Sequence, residues 1–454
     1  MNVWKGLTVI FAVILIMTSG PFCFGSTNPE EAAELGTTLT GVGAERAGNA
    51  EGTIPEYADG LTTLPPDFKP GSGVRPDPFE REGPLFSIHA KNMEQYAEKL
   101  TDGTKALMKK YPTFRIDVYK THRTVAFPDY VIKNTAKNAL QATTYNSGLS
   151  IKGARAGIPF PIPKNGYEVM WNHLLRYRGV YMEMRYSGWF VDAGGNMTNT
   201  GQQIVREENP YYVEDLTKCD PNVLWKEIVM YLGPPRMAGQ IFLVIDPINI
   251  YESERTAYMY VSGQRRVKLA PGMAFDVPDS STGGNSTFDE AWLFDGSMER
   301  YDMKLMGKKE LYIPYNAYKT SYKIKKEELF GTKHMNPDKV RWELHRVWVV
   351  EAALKSGSQH IYPKRRFYLD EDSWTILAGD NHNINGELVK ANFAFQMPSY
   401  EVPAPFSGFF VSYNLAAGTY VGQEWPGEDG YVCHAKVFSE RDWTPAGISA
   451  LGIR

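Results

Sequence analysis

The chain has 454 residues, enough to bury one large core or two ordinary ones. With 27 Tyr, 22 Phe and 10 Trp, and 22% charged residues, its composition is that of a globular protein and excludes a disordered one. A formal net charge of −3 argues against nucleic acid as a partner, because phosphate binding needs a basic surplus.

Lys5 precedes an uncharged apolar run, residues 7–17, followed by Thr18, Ser19, Gly20 and Pro21. A bilayer span takes about 20 apolar residues, so this run is too short to cross and fits a secretory signal peptide instead. Cys23 and Gly25 offer small residues for cleavage before Ser26, and Phe22 stands where a lipid-anchored Cys23 would need a small neighbour. We therefore expect a signal peptide over residues 1–25 and a soluble, periplasmic protein, in contact with the outer membrane at most. Loss of Lys5 takes the formal net charge from −3 to −4 and leaves Cys219 and Cys433. Two readings stand for that pair: a disulfide worth about 5 kcal/mol by chain entropy, or two small buried residues.

Residues 26–84 are rich in Gly, Pro, Thr and acids without a sustained period, and read as an extended arm. Within it, residues 39–52 form a Gly-rich loop that fails the dinucleotide fingerprint, because Arg46 stands where the third glycine belongs. Helical spacing follows over residues 87–100 (Met93, Tyr96, Ala97, Leu100), 104–111, stopped by Pro112, and 134–142. A fourth helix is expected over residues 167–179, with Met170, Leu174 and Tyr177 in one stripe and Trp171 and Leu175 beside it.

From Gly179 onward the period is that of strands: 181–190, 202–207, 223–232, 239–247, 257–261, 265–270 and 303–313. The clearest signal is a four-strand meander over residues 341–396. On its first strand Trp342, Leu344, Arg346, Trp348 and Val350 share a face; Phe367 and Leu369, then Trp374, Ile376 and Ala378, then Ala391, Phe393 and Phe395 follow. Residues 406–414 and 431–438 continue the pattern. The expected fold is mainly β (α+β): one large, strongly curved antiparallel sheet with helical lids on its concave side. A single domain over residues 85–454 would carry helices mainly in 85–179 and strands in 180–440.

No Gly-x-Ser-x-Gly elbow and no His-Glu-x-x-His occurs, and the eight histidines lack metal-ligand spacing. Asn381, Asn383 and Asn385 before Gly386 mimic a calcium loop, but Asn392 fills the position of its bidentate Glu, so a hairpin turn is expected. Asp370, Glu371 and Asp372 fall at a strand tip, where solvation would leave them without catalytic work, and Asp380 and His382 are read the same way. No catalytic residue, cofactor or metal is assigned.

Two sets of residues carry a family resemblance. Residues 258–271 (Tyr-Met-Tyr-Val-Ser-Gly-Gln-Arg-Arg-Val-Lys-Leu-Ala-Pro), 286–290 and 301–310 are similar to the outer-membrane lipoprotein-sorting proteins. Residues 39–50, 160–164, 171–179 (Trp-Asn-His-Leu-Leu-Arg-Tyr-Arg-Gly), 312–316, 344–351 and 368–374 resemble an uncharacterised bacterial family, domain of unknown function 1329, over about residues 35–395. That family brings no activity of its own. The wider resemblance implies the LolA/LolB-like fold, an open half-barrel with helical lids that holds acyl chains in the periplasm.

A one-layer curved sheet must cover its inner face, and a carrier covers it with lids and ligand. Trp342, Trp348, Phe367, Trp374 and Phe393 are expected to line one wall of an apolar cavity, and Trp171, Tyr177, Tyr258 and Tyr260 the other. Arg346 and Arg365 fall on those apolar faces, where a guanidinium needs an internal carboxylate or an anionic headgroup at the mouth. The function expected is a non-enzymatic carrier or chaperone for a lipid or lipoprotein acyl chain, serving an envelope transporter or outer-membrane acceptor. The alternatives are an envelope hydrolase on a lipid or glycan, and a structural or adaptor subunit of an export complex.

Overall fold

The computed structural model describes residues 27–270, 277–279 and 282–452. The expected signal segment, residues 1–25, lies outside them. The first strands are β1 (Phe86–His89), β2 (Arg115–Val118), β3 (Thr143–Tyr145), β4 (Ser150–Lys152), β5 (Tyr181–Val191) and β6 (Met197–Glu208). They are followed by β7 (Val223–Gly233), β8 (Ile241–Pro247), β9 (Thr256–Val261), β10 (Arg266–Leu269), β11 (Tyr301–Pro314) and β12 (Trp342–Leu354). Last come β13 (Lys364–Asp370), β14 (Ile376–His382), β15 (Leu388–Ala394), β16 (Phe410–Asn414), β17 (Thr419–Trp425) and β18 (Tyr431–His434).

All but β3 and β4 join one 16-stranded sheet. β12 pairs with β11 along one edge and β13 along the other, and antiparallel pairing continues through β14, β15, β16, β17, β5, β6, β7, β8 and β9 to β10. The β1–β2 hairpin joins β12 through a parallel bridge, Trp342 to Val118, and β18 pairs with β5 beyond the end of β17. Among the described residues the sheet is unclosed, with β10 at one margin and β1 and β11 at the other. The expected class, mainly β with a large curved antiparallel sheet, is what the chain forms.

The stretch before Gly179 departs from expectation. Helices form over Asp102–Lys110, Asp129–Gln141 and Gly166–Leu174. Residues 87–100, however, split into β1 and a 3₁₀ turn, Met93–Lys99. The break is made by Asn92, whose Oδ1 accepts the His89 N–H at 2.8 Å and closes the chain after the strand. β1 exists because it pairs with β2, with Ile88 and Ile116 in register and both buried. Four-residue strands have no periodic signature of their own, and only the pairing makes them visible.

The arm lies on the meander. Trp374 donates its indole N–H to the Val42 carbonyl at 2.9 Å, and Arg346 donates to the Ala47 carbonyl at 2.9 Å. Gly43 sits at φ +94°, where a Cβ would fall 1.9 Å from the Pro161 carbonyl oxygen, so only glycine fits this crossing.

Cover by the arm corrects one expectation. Asp370, Glu371 and Asp372 are not a solvated tip; they are 0%, 2% and 2% exposed. Arg123 clamps Asp372 (Nε at 2.9 Å, Nη2 at 2.6 Å), and Lys308 reaches Glu371 at 2.8 Å. Burial, with Asp372 beside it, pushes Asp370 up to about 7. Asp380 is likewise buried, beneath the Asp102–Lys110 helix, and His382 is buried at the end of β14. Trp374 is not on a strand but in the turn before β14, in the left-handed region at φ 60°. The expected turn after Asn381 forms as a hairpin closed by Asn383, whose Oδ1 accepts the Asn385 and Glu387 N–H groups.

Candidate functional site

Alternation along three neighbouring strands builds a cavity at the other end of the sheet. On β7, Trp225, Glu227, Val229 and Tyr231 point to one side, and in register with them stand Glu207 and Gln203 of β6 and Phe242 and Val244 of β8. The reverse side carries Ile228, Ile241 and Leu243, packed on Trp443 and Ile448 of the C-terminal segment. Among the described residues the front side lacks such cover over part of its length. It faces residues 287–295, and between them lies a half-open cavity of about 190 Å³, lined by Val229, Phe242, Val244, Phe288, Trp292 and Phe410 among others.

The covering segment is held rigidly. Thr287 and Glu290 form a reciprocal cap at its start. Lys390 bonds Glu290 at 2.9 Å. Arg365 donates to Asp289 at 2.5 Å and to the Leu293 carbonyl at 2.9 Å. These bonds allow Trp292 and Leu293 to occupy left-handed backbone conformations, φ 45° and 72°. Trp292 thereby turns its indole to the cavity floor and donates Nε1–H to Glu424 at 2.9 Å. Glu424 is also left-handed, at φ 55°, in the bulge where β17 slips against β5 between Gly422 and Trp425. A bulge of this kind re-aims a side chain, here into the cavity.

The floor is acidic. Glu207 and Glu227 stand directly opposite on adjacent strands, a placement that sets like charges against each other. Arg178 pairs with Glu207 at 3.1 Å and lies 4.1 Å over the Trp292 ring. Arg255 is committed to Asp246 at 2.6 Å and Asp295 at 2.9 Å. Burial, with Glu207 and Glu424 beside it, pushes Glu227 well above the carboxylate range. Burial, with Glu207 adding to it, pushes Glu424 up to about 8 despite the Trp292 hydrogen bond. Burial also raises Glu207, against the pull of Arg178 and Arg176. Arg176, buried beside Arg178, is lowered to about 9. The arrangement can take an apolar body against the aromatic wall and a polar end against the carboxyls.

The DUF1329 profile, described as a protein of unknown function, matches residues 87–449. The chain belongs to the DUF1329 family. A relative of this DUF1329 protein, the uncharacterized protein PA3922 of Pseudomonas aeruginosa, is 37% identical over 455 residues, spanning 98% of either chain. Among solved structures, a putative outer membrane lipoprotein-sorting protein domain from Vibrio parahaemolyticus is similar at TM-score 0.39 and 12% identity, over 59% of this chain and 91% of that one. A DUF1329 family protein from Desulfovibrio piger is similar at TM-score 0.38 and 12% identity, over 58% and 89%. The LolA superfamily protein NE2245 of Nitrosomonas europaea follows at 0.35 and 8%, over 62% and 98%.

None of the eleven residues singled out in the sequence lines this cavity of the DUF1329 protein. Trp342 and Phe393 pack edge to face at 5.3 Å, Trp348 and Trp374 stack at 6.1 Å, and Phe367 meets Phe294 at 5.4 Å, all within the main core except the half-buried Trp348, which packs against it. Trp171 donates to the Gly148 carbonyl at 2.9 Å, and Tyr177 sits in a cluster with Tyr130 and Tyr212. Tyr258 and Tyr260 fall on the reverse face of β9, in register with Leu243 and Ile241. Arg346 is bonded to Ala47 and lies 3.5 Å from Glu371. Arg365 comes nearest to a role at the cavity, since it fixes the segment that bears Trp292.

His345, Asp370 and Asp372 bring potential ligand atoms within 4.8 Å of one another. Arg123 takes both oxygens of Asp372, so a cation there would confront a guanidinium, and the cluster reads as the anchor of the arm.

Proposed function

We propose that this DUF1329 protein is a non-enzymatic envelope carrier that holds an apolar chain of a lipid or lipid-modified protein in the β6–β8 cavity. The observation that carries the reading is the cavity, a stretch of the sheet from which the cover, residues 287–295, stands off. Its volume, about 190 Å³, is below the roughly 300–1,000 Å³ of clefts that enclose drug-sized ligands, which fits a single chain. Each buried CH₂ contributes about 0.8 kcal/mol, so eight of them contribute roughly 6 kcal/mol before the cost of ordering the chain. That suits reversible loading and release. Export to the periplasm rests on the apolar run at residues 7–17, and hand-over to a transporter or outer-membrane acceptor follows from a carrier's need for both a donor and a recipient.

Native purification followed by lipid extraction and mass spectrometry tests the reading, together with uptake of the neutral fluorescent probe N-phenyl-1-naphthylamine. Copurifying lipid and saturable uptake are expected, both reduced in Val229→Trp, which fills the cavity. Absence of lipid and of uptake in the unaltered protein would overturn it.

A further inference from the structure

We propose that the polar end of the ligand is a cation, an alkylammonium group seated between Glu227, Glu424 and the aromatic walls of the cavity. The inference rests on the carrier reading and deepens it.

The charges at the floor decide the sign. Of the carboxyls gathered there, Glu207 is paired with Arg178, Asp246 and Asp295 are paired with Arg255, and Asp279 has a partner of its own. Arg176 donates to the His173 carbonyl at 2.6 Å, lies 5.6 Å over the Trp292 ring and does not line the cavity. Glu227 and Glu424 remain, and among the described residues neither has an ion-pair partner. An anionic head would meet two acids, while Arg255, the guanidinium among the described lining residues, is already committed to Asp246 and Asp295. A neutral chain end would offer neither acid a charge to pair with, so each would stay protonated. An ammonium compensates both at once.

The walls agree with that sign. Tyr186, Tyr231, Phe242 and Phe410 line the same space, and aromatic faces attract cations, quaternary ammonium groups above all. In the absence of such a ligand the two acids keep protons instead, as their raised pKa values express; the charged and titratable groups around them include Glu207, Arg178, Arg176, Arg255, Asp279, Asp295, Tyr186 and Tyr231. The covering segment serves the same site. Without Arg365 and Asp289 to hold Trp292 in place, Glu424 would lose its hydrogen-bond donor and its orientation.

Displacement of bound N-phenyl-1-naphthylamine from the full mature chain by three probes of equal chain length, each below its micelle-forming concentration, tests the proposal. These are dodecyltrimethylammonium, dodecanoate and dodecanol. Dodecyltrimethylammonium should displace the probe at concentrations about tenfold lower than dodecanoate or dodecanol, the ratio that about 1.4 kcal/mol of head-group recognition gives. In Glu227→Gln and in Glu424→Gln that ratio should fall towards one. Equal displacement by all three would overturn the cationic assignment while leaving the carrier reading in place. Failure of the naphthylamine itself to bind would overturn both. Where a variant does not fold, the ratio in the unaltered protein decides alone.

Discussion

Replacing Asp380 with Asn removes a buried carboxyl that should make stability fall as pH rises. Asp380 is 1% exposed; its Oδ1 accepts the Gly103 N–H at 3.0 Å and its Oδ2 accepts the Tyr368 hydroxyl at 2.9 Å. Burial, reinforced by Asp102 and opposed by the Tyr368 hydrogen bond and Arg366, pushes it from the ordinary 3.8 up to about 7. Between those values the folded chain keeps a proton that the unfolded chain has released. Stability from this group is therefore complete below about pH 4, declines as pH rises and levels off above about 7. At 1.36 kcal/mol per unit the full window is roughly 4 kcal/mol, and the part between pH 5 and pH 8 roughly 3 kcal/mol. Asn keeps an oxygen for the Gly103 N–H and is neutral throughout. Urea denaturation at pH 5, 6, 7 and 8, followed by tryptophan fluorescence, should show the unaltered protein losing roughly 3 kcal/mol relative to Asp380→Asn across that range. Asp370 and Glu424 titrate in both proteins and cancel in the difference. Parallel pH profiles for the two proteins would refute the reasoning.

Other changes probe the supports of the site and the arm. Arg365→Met leaves Asp289 buried with His360 and the Thr287 hydroxyl beside it but no guanidinium, and should lower the urea-derived stability by about 3–5 kcal/mol; a loss under about 1 kcal/mol would mean that the pair does not anchor the covering segment. Trp374→Phe keeps an aromatic ring but removes the donor to Val42, so limited proteolysis should cut the arm faster, with about 1 kcal/mol of stability lost; unchanged cleavage would count against this contact as the clasp. Cys219 and Cys433 are both free thiols. Alkylation without reductant should therefore label both, and an intact mass with neither labelled would contradict the arrangement.

Much of the sheet was legible because its strands are long enough to show their period. β5, β7, β11 and β12 each run over at least 11 residues, and their alternation points to strands without knowledge of any partner. β1 and β2, at four residues each, carry no such evidence. The charged tip at Asp370, Glu371 and Asp372 misled for a related reason: acids between two strands are normally wet, and their burial depends on Arg123, Lys308 and an arm more than 300 residues earlier in the chain. The cavity was illegible in a different way. Glu227 in β7 reads as an outward charge on an alternating strand until β6 sets Glu207 opposite it and the β17 bulge brings in Glu424. One signal was available: Arg365 on an apolar face demanded a carboxylate, and Asp289, within the Ser286 to Glu290 motif, supplies it.

The strand order also constrains how the chain can acquire its structure. β5 has β6 beside it in sequence, but its other edge waits for β17 and β18, with Val191 meeting Tyr420 roughly 230 residues later. Until those residues arrive, two partial sheets, β5 to β10 and β11 to β15, each present a bare edge of unpaired N–H and C=O groups. Closing such a distant pairing is slow, and during that interval either edge can recruit a second chain. Residues 410–434 thus act as a seam joined last, and until it is made β5 is the edge most in need of cover.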